Sequence, residues 1–160
     1  MKKLKPETRL ILLDLRSAQN VGAIFRTAEG AGVAKIYLAG YTPAPIDRFG
    51  RVNREIAKTA LGAEKLVPGE KVVSTTCLLK KLRSAGYQII AVEQDPQALD
   101  YRKLKSKANE KIVFVFGNEV TGLPKSLLAK VDQIIEIPMR GQKESLNVSV
   151  AAGIILFRYF

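Results

Sequence analysis

Short apolar runs alternate with segments of helical spacing along the first part of the chain. Arg9 to Leu15 is rich in Leu and Ile and predicts a buried strand, and Lys35 to Ala39 predicts a second strand. Between them, Val21 to Gly30 carries apolar residues at helical spacing. The order strand, helix, strand is typical of a parallel sheet with a crossover helix.

The same alternation continues to the C-terminus. The pattern predicts these further elements: helix Val52–Leu61, short strand Glu64–Val67, helix Thr75–Ala85, strand Gln88–Val92, strand Lys111–Phe116, helix Pro124–Lys130 and strand Ile134–Ile137. Lys111–Phe116 is the most β-prone run and predicts a central strand. We therefore expect an α/β fold, with a mostly parallel sheet and flanking helices, in a single domain over residues 1–160.

A nearly uncharged segment closes the chain and predicts a buried helix, yet it opens on polar residues. Ser145 and Asn147 stand at its start, after a polar loop from Pro138 to Glu144. Buried polar groups need hydrogen-bond partners. The start of this helix therefore predicts either capping contacts or a functional role.

The composition limits the class of protein and its location in the cell. Apolar residues make up 47% and charged residues 26% of 160 residues, as in ordinary globular proteins. No apolar stretch reaches the ~18 residues of a membrane-spanning helix, and the lysine-rich start lacks the apolar region of a signal peptide. We expect a cytoplasmic protein with no membrane partner. Cys77, next to two leucines, is expected to be a small core residue rather than a nucleophile.

The formal net charge of +11 favours a polyanionic partner, with nucleic acid first. Arg48, Arg51, Arg54 and Lys58 lie on or beside the predicted helix Val52–Leu61, spaced to place several on one face. A solvated helix face and a phosphate-contacting RNA patch are both compatible with this spacing. The basic segment from Arg102 to Lys111 is likewise either a surface loop or a second part of such a patch.

The chain contains no histidine and one cysteine. The absence of histidine excludes the commonest general base and the commonest metal ligand. It also excludes every Ser-His or Cys-His catalytic pair. We expect chemistry that uses neither an imidazole nor a metal.

Three predicted strand ends carry polar loops: residues 17–22 with Arg26 just beyond them, residues 116–123, and residues 138–147. None is a dinucleotide-binding or P-loop motif. Each polar residue alone has an ordinary explanation, such as a helix cap for Asn20 or Ser145, an exposed charge for Arg26, or a helix N-terminus for Glu119. Together they place a cation, a carboxylate, amides and a hydroxyl where ligands bind in parallel sheets.

The three segments N-V-G-A-I-F-R-T-A, F-G-N-E-V-T-G-L and I-P-M…S-L-N-V-S-V-A-A-G resemble the ordered motifs of the SpoU-type (TrmH-like) RNA 2′-O-ribose methyltransferases, from Asn20 to Gly153. This family belongs to the knotted SPOUT superfamily. The resemblance implies a C-terminal deep trefoil knot, S-adenosylmethionine bound in the knot, and a homodimer with its active site near the subunit interface. With motif one near residue 20, we expect no separate N-terminal RNA-binding domain.

The resemblance also implies roles for individual residues. The cofactor pocket would be lined by Val92, Gly117, Ile137, Met139, Ser145 and Leu146. The catalytic centre would contain Asn20, Arg26, Glu119, Ser145 and Asn147. A ribose hydroxyl needs help to lose its proton, and the candidates are Arg26, which the family favours, and Glu119. A guanidinium stays protonated, so Arg26 either loses a proton by some means or orients the hydroxyl and a phosphate.

Two other functions share these features. One is an RNA-binding protein with a non-catalytic cofactor pocket, and the other is an RNA methyltransferase that modifies a base. The motifs do not choose between tRNA and rRNA as the substrate.

Overall fold

The computed structural model describes residues 6–105, 107 and 109–159. Within these residues the elements follow in this order: β1 Glu7–Leu13, α1 Ala18–Ala31, β2 Lys35–Ala39, α2 Arg54–Ala60, α3 Ala63–Leu66, β3 Gly69–Val72, α4 Thr75–Ser84, β4 Gln88–Val92, β5 Leu99–Asp100, a short 3₁₀ helix Tyr101–Lys103, β6 Lys111–Phe116, α5 Lys125–Leu128, β7 Gln133–Glu136 and α6 Val148–Tyr159.

All the strands join one sheet in the order β3-β2-β1-β6-β4-β7-β5, and every pairing is parallel. The predicted α/β fold is confirmed, and β6 is the central strand as its composition predicted. Because the strands are parallel, their carboxyl ends and the loops that follow them meet at one edge.

Successive strand residues point to opposite faces, and both faces are covered by helices. On one face, Leu10, Leu12 and Phe114 pack in a cluster with residues of α1, α2, α3 and α6. On the other, Ile11 and Val113 pack with apolar residues of α4 and α5. The continuous apolar character of β1 and β6 follows from this burial on two sides.

The structure corrects three details of the sequence interpretation. Residues 63–66 form helix α3, not a strand, and the strand lies at Gly69–Val72. It is an exposed edge strand, so it lacks the apolar run that marks a buried one. Cys77 is exposed, because α4 turns Leu78 and Leu82 inward and leaves Cys77 on its outer side.

The third correction concerns the basic residues near α2. The helix begins at Arg54, since the Asn53 side chain caps it by accepting hydrogen bonds from two backbone N–H groups of the first turn at 3.1 and 3.2 Å. Only Arg54 and Lys58 therefore share a helix face. Arg48 and Arg51 lie in the preceding loop.

Helices α1 and α2 approach each other closely at Gly22. A Cβ atom there would lie 1.9 Å from Thr59 Oγ1 and 2.5 Å from the carbonyl oxygen of Ile56. The Thr59 hydroxyl also donates a hydrogen bond to the carbonyl of Gln19 at 3.1 Å. This contact fixes α2 beside the N-terminal turn of α1.

Among the described residues, no helix combines the length and apolar character needed to cross a bilayer.

Candidate functional site

A cavity of about 540 Å³ opens at the carboxyl edge of the sheet, between the loops after β4, β6 and β7. This volume suits a small-molecule ligand. The lining residues are Asn20, Val92, Glu93, Gln94, Phe116, Gly117, Asn118, Glu119, Val120, Thr121, Gly122, Glu136, Ile137, Glu144, Ser145, Leu146, Asn147, Val148 and Ala151.

Asn118 organises the loop after β6. Its buried side-chain amide donates to the carbonyl of Asp14 at 2.9 Å and to the Tyr41 hydroxyl at 2.8 Å. Its Oδ1 accepts hydrogen bonds from the backbone N–H groups of Val120 and Thr121 at 2.8 and 2.9 Å. With both ends of the amide satisfied, the loop is fixed in shape before any ligand binds.

Glu119, the next residue, holds the first loop against the second. Its carboxylate accepts hydrogen bonds from the backbone N–H groups of Arg16 and Ser17 at 3.0 and 3.2 Å and from Asn20 Nδ2 at 3.1 Å. Partial burial alone would raise the pKa of Glu119, but these hydrogen bonds, with that of Arg16 the largest, outweigh it and hold the pKa below its ordinary value. Glu119 is therefore ionised at neutral pH, and its oxygens are engaged in positioning Asn20.

Asn20 connects this contact to the third loop. Asn147 Nδ2 donates to Asn20 Oδ1 at 3.2 Å, and Asn147 Oδ1 accepts from the backbone N–H and the hydroxyl of Ser149 at 2.8 and 2.6 Å. The chain Glu119–Asn20–Asn147 thus joins all three motifs. Asn20 does not cap α1, because Ser17 does so by accepting a hydrogen bond from the Asn20 backbone N–H at 3.1 Å.

Two residues after β4 complete the cavity and were missed in the sequence. Glu93 accepts a hydrogen bond from the Leu123 N–H at 2.8 Å, and Gln94 Nε2 donates to the carbonyl of Ile137 at 2.8 Å. Gly122 has a φ of +67°, and a Cβ there would lie 2.4 Å from Glu93 Oε2. The available signal was position, since polar residues directly after a buried strand face the ligand-binding edge.

The structure brings most of the predicted site residues together. Those that line the cavity are Asn20, Val92, Gly117, Glu119, Ile137, Ser145, Leu146 and Asn147. Arg26 and Met139 are not among the lining residues. Arg26 is exposed on α1, six residues beyond Asn20 and so about 9 Å further along the helix axis.

The charge of the cavity is opposite to that of the chain. Four carboxylates line it, from Glu93, Glu119, Glu136 and Glu144, whereas no Lys or Arg does so among the described residues. The chain as a whole carries +11. Such a lining disfavours a polyphosphate ligand and favours a cationic one. In the described part of the chain, no group of three or more His, Cys, Asp or Glu side chains is placed to hold a metal ion.

Known proteins are similar to this chain in sequence and in fold. A 23S rRNA (guanosine-2′-O-)-methyltransferase RlmB from Pectobacterium atrosepticum is 34% identical over 148 residues, which cover 92% of this chain and 57% of that protein. The AdoMet-bound rRNA methyltransferase from Sinorhizobium meliloti superposes with a TM-score of 0.86 at 31% identity, covering 99% of this chain and 57% of that one.

A TrmH/SpoU tRNA modifying enzyme from A. aeolicus superposes with a TM-score of 0.82 at 29% identity, covering 98% of this chain and 75% of that one. The chain spans little more than half the length of the RlmB relative. The SpoU rRNA Methylase family matches residues 7–157, and the chain belongs to this family.

Proposed function

We propose that the chain is an S-adenosylmethionine-dependent methyltransferase that acts on a ribose 2′-hydroxyl of tRNA or rRNA. Family membership supports the reaction class, as does the AdoMet-bound state of the Sinorhizobium meliloti structure. The observation that carries the proposal is the cavity, in which Glu119, Asn20 and Asn147 join three loops around an acidic lining.

The lining fits the cofactor. Val92, Gly117, Ile137, Ser145 and Leu146 would hold it, with apolar side chains against the adenine and loop backbone groups against its polar ends. When bound, the cofactor supplies an electrophilic methyl group on a positively charged sulfur. The carboxylates of the lining would offset that positive charge, and no Lys or Arg in the described part of the chain competes with it in the lining. A role for Met139 stays a prediction.

The chain's own residues orient the ribose. The side chains of Asn20 and Asn147 are fixed relative to each other at 3.2 Å, with Glu119 holding the first of them. Ser145 also lines the cavity and would help to align the ribose. In the transfer, the bond between the methyl group and sulfur would break as the ribose oxygen bonds to the methyl carbon, and the hydroxyl proton would pass to solvent water. Arg26, as a guanidinium, would orient the hydroxyl and a neighbouring phosphate, a positioning contribution that can be large.

We also propose a homodimer formed through α6 and α1. On the mostly apolar helix α6, the side chains of Val150 and Phe157 are 50% and 61% exposed. The Phe157 ring lies beside α1, where a Cβ at Gly30 would be 3.5 Å away. Exposed apolar surface of this kind favours a protein partner. A second copy on this surface would also cover Arg26 and place it at an interface.

The order of the last strands supports the proposed knot. β7 lies between β4 and β5, so the connection from Glu93 to Ala98 crosses the end of β7. Gln94 Nε2 donates a hydrogen bond to the carbonyl of Ile137, just after the end of β7. We propose that the segment after Ile137 threads through this connection as a deep trefoil knot, an arrangement rare among proteins. A crystallographic trace with the segment passing outside the connection would refute it.

RNA would be bound by the exposed basic residues Arg48, Arg51, Arg54 and Lys58. Arg102, in the second basic segment, is engaged with Asp100, whose pKa it lowers to about 2. Ser106 and Ala108 of that segment lie outside the described residues.

A single domain and a cytoplasmic location, where tRNA and rRNA are found, belong to the same proposal.

Transfer of a labelled methyl group from S-adenosylmethionine to unmodified tRNA or rRNA tests this function. We expect label in RNA, and calorimetry should show cofactor binding to the protein alone. A folded protein that binds RNA but neither binds the cofactor nor transfers the methyl group would instead be an RNA-binding protein with a non-catalytic pocket.

A further inference from the structure

An exposed aromatic ring stands at the tip of an ordered loop between β2 and α2. Phe49 is 66% exposed, and the guanidinium carbons of Arg48 and Arg51 lie 4.7 and 5.0 Å from its ring centroid. Ile46 and Val52, which pair across the base of the loop in an antiparallel bridge, are 59% and 62% exposed. Burial in the core does not account for these side chains.

The loop is built to hold this ring outward. The Asp47 carboxylate accepts hydrogen bonds from the backbone N–H groups of Phe49 and Arg51 at 2.8 and 2.9 Å and from Arg51 Nε at 2.8 Å. The backbone closes through Asp47 N–H to the Arg51 carbonyl at 2.9 Å, and Gly50 takes a φ of +75°. These bonds hold the pKa of Asp47 below its ordinary value, with the Arg51 N–H the largest cause. The tip is thus ordered before it meets a partner.

The loop is attached to a wall of the cavity at its start, and the helix that follows it, α2, is attached to α1 beside that wall. At the start, the Tyr41 hydroxyl accepts a hydrogen bond from Asn118, which lines the cavity. Beyond the end, Glu55 accepts one from Gln19 Nε2 at 3.1 Å, next to Asn20. The ring therefore belongs to the same edge of the molecule as the proposed methyl-transfer site.

We propose that Phe49, with Arg48 and Arg51, forms a stacking platform for an unpaired base of the RNA substrate near the nucleotide to be methylated. Aromatic rings and guanidinium planes are the surfaces on which splayed-out bases stack, and paired bases in a duplex cannot reach them. The proposal rests on the RNA substrate of the proposed function and adds that this substrate is a single-stranded loop, bulge or end.

The charge of the loop favours RNA over a second copy of the chain. In a two-fold interface each residue meets the same patch on its partner, so the arginines at positions 48, 51 and 54 would face one another. Like charges in contact are unfavourable between proteins and favourable against phosphates. The apolar surface of α1 and α6 is better suited to a second copy.

The test measures RNA binding without turnover. Three proteins are titrated into RNA: the wild type, Phe49→Ala and the control Leu66→Ala. The control removes a side chain that is 70% exposed at the end of α3. The RNA is a single-stranded oligonucleotide carrying 2-aminopurine, alone and paired to its complement. Stacking on Phe49 quenches the 2-aminopurine fluorescence.

We expect the wild type and Leu66→Ala to quench and bind the single strand alike. Phe49→Ala should bind about 5- to 150-fold more weakly without quenching, as for loss of one stacked base. Its salt dependence should be unchanged, because no phosphate contact is removed. Phe49→Trp should restore quenching.

Equal affinity and quenching for Phe49→Ala and wild type, in a protein that methylates RNA, would overturn the platform and leave the proposed function intact. Phe49-dependent quenching without methyl transfer would leave the platform and overturn the function. Loss of dimer in Phe49→Ala, measured by sedimentation and with no change in RNA affinity, would assign the loop to the second copy instead.

Discussion

Replacing Glu119 by Gln separates a positioning role from a role as proton acceptor. The carboxylate accepts three hydrogen bonds, one on Oε2 and two on Oε1. An amide retains one accepting oxygen, so its NH₂ group must face at least one donor. Hydrogen bonds to a charged group contribute about 1.5–3 kcal/mol each, and Glu119 is only partly buried. We therefore expect Glu119→Gln to lower the free energy of unfolding by about 1–2 kcal/mol.

The same change weakens the hydrogen bonds that hold Asn20 and the first loop, so we expect methyl transfer to fall roughly 10- to 100-fold through misplacement of the ribose. Urea unfolding, with an unchanged slope, and initial rates under saturating cofactor measure the two effects. Glu29→Gln, the same substitution at an exposed position of α1, is the matched control. Stability and activity equal to those of the control would refute the positioning role. A loss of more than about 1000-fold with unchanged stability would identify Glu119 as the proton acceptor instead.

The lowered pKa of Glu119 adds a dependence on pH. A carboxyl whose pKa is depressed in the folded state contributes stability above its unfolded pKa of about 4.3 and loses it as pH falls through the folded pKa. The stability difference between wild type and Glu119→Gln should therefore be full at pH 7 and shrink below about pH 4. A difference that grows on acidification would contradict the hydrogen-bonded carboxylate.

Three further predictions test packing, assembly and chemistry. Gly22→Ala should lower the free energy of unfolding by about 1–3 kcal/mol in urea titration, because its Cβ would overlap Thr59 Oγ1 at 1.9 Å; unchanged stability would mean that α1 and α2 are further apart. Phe157→Asp should convert the proposed dimer into monomer in sedimentation experiments, and a dimer of unchanged affinity would remove α6 from the interface. Arg26→Ala should abolish methyl transfer while cofactor affinity by calorimetry stays within about twofold; retained turnover would remove Arg26 from the mechanism.

The parallel sheet was predictable because β1, β4 and β6 are buried on both faces and carry unbroken apolar runs. Strand β3 was not predictable, because an exposed edge strand has no apolar run and its position is decided by pairing with β2. The length of α2 was overestimated, because side-chain capping by Asn53, rather than periodicity, sets the residue at which the helix begins.

For the site, the three polar loops pointed to the edge of the sheet at which the cavity opens. The sequence did not show that Glu119 is engaged with backbone N–H groups of another loop, because such contacts depend on tertiary structure. Glu93 and Gln94 lie outside the recognised motifs and were found only through their contacts with Leu123 and Ile137. Arg26 lies outside the cavity lining for a related reason, since side-chain direction on α1 is set by how the helix packs.

In the proposed reaction the methyl group reaches a ribose oxygen, and the product of the reaction identifies that oxygen directly. RNA methylated by the protein is digested to nucleosides and analysed by mass spectrometry. We expect fragmentation to place the added methyl group on the sugar, and we expect methylation to disappear with Arg26→Ala. A methyl group found on the base would refute methylation of the ribose and identify an RNA base methyltransferase.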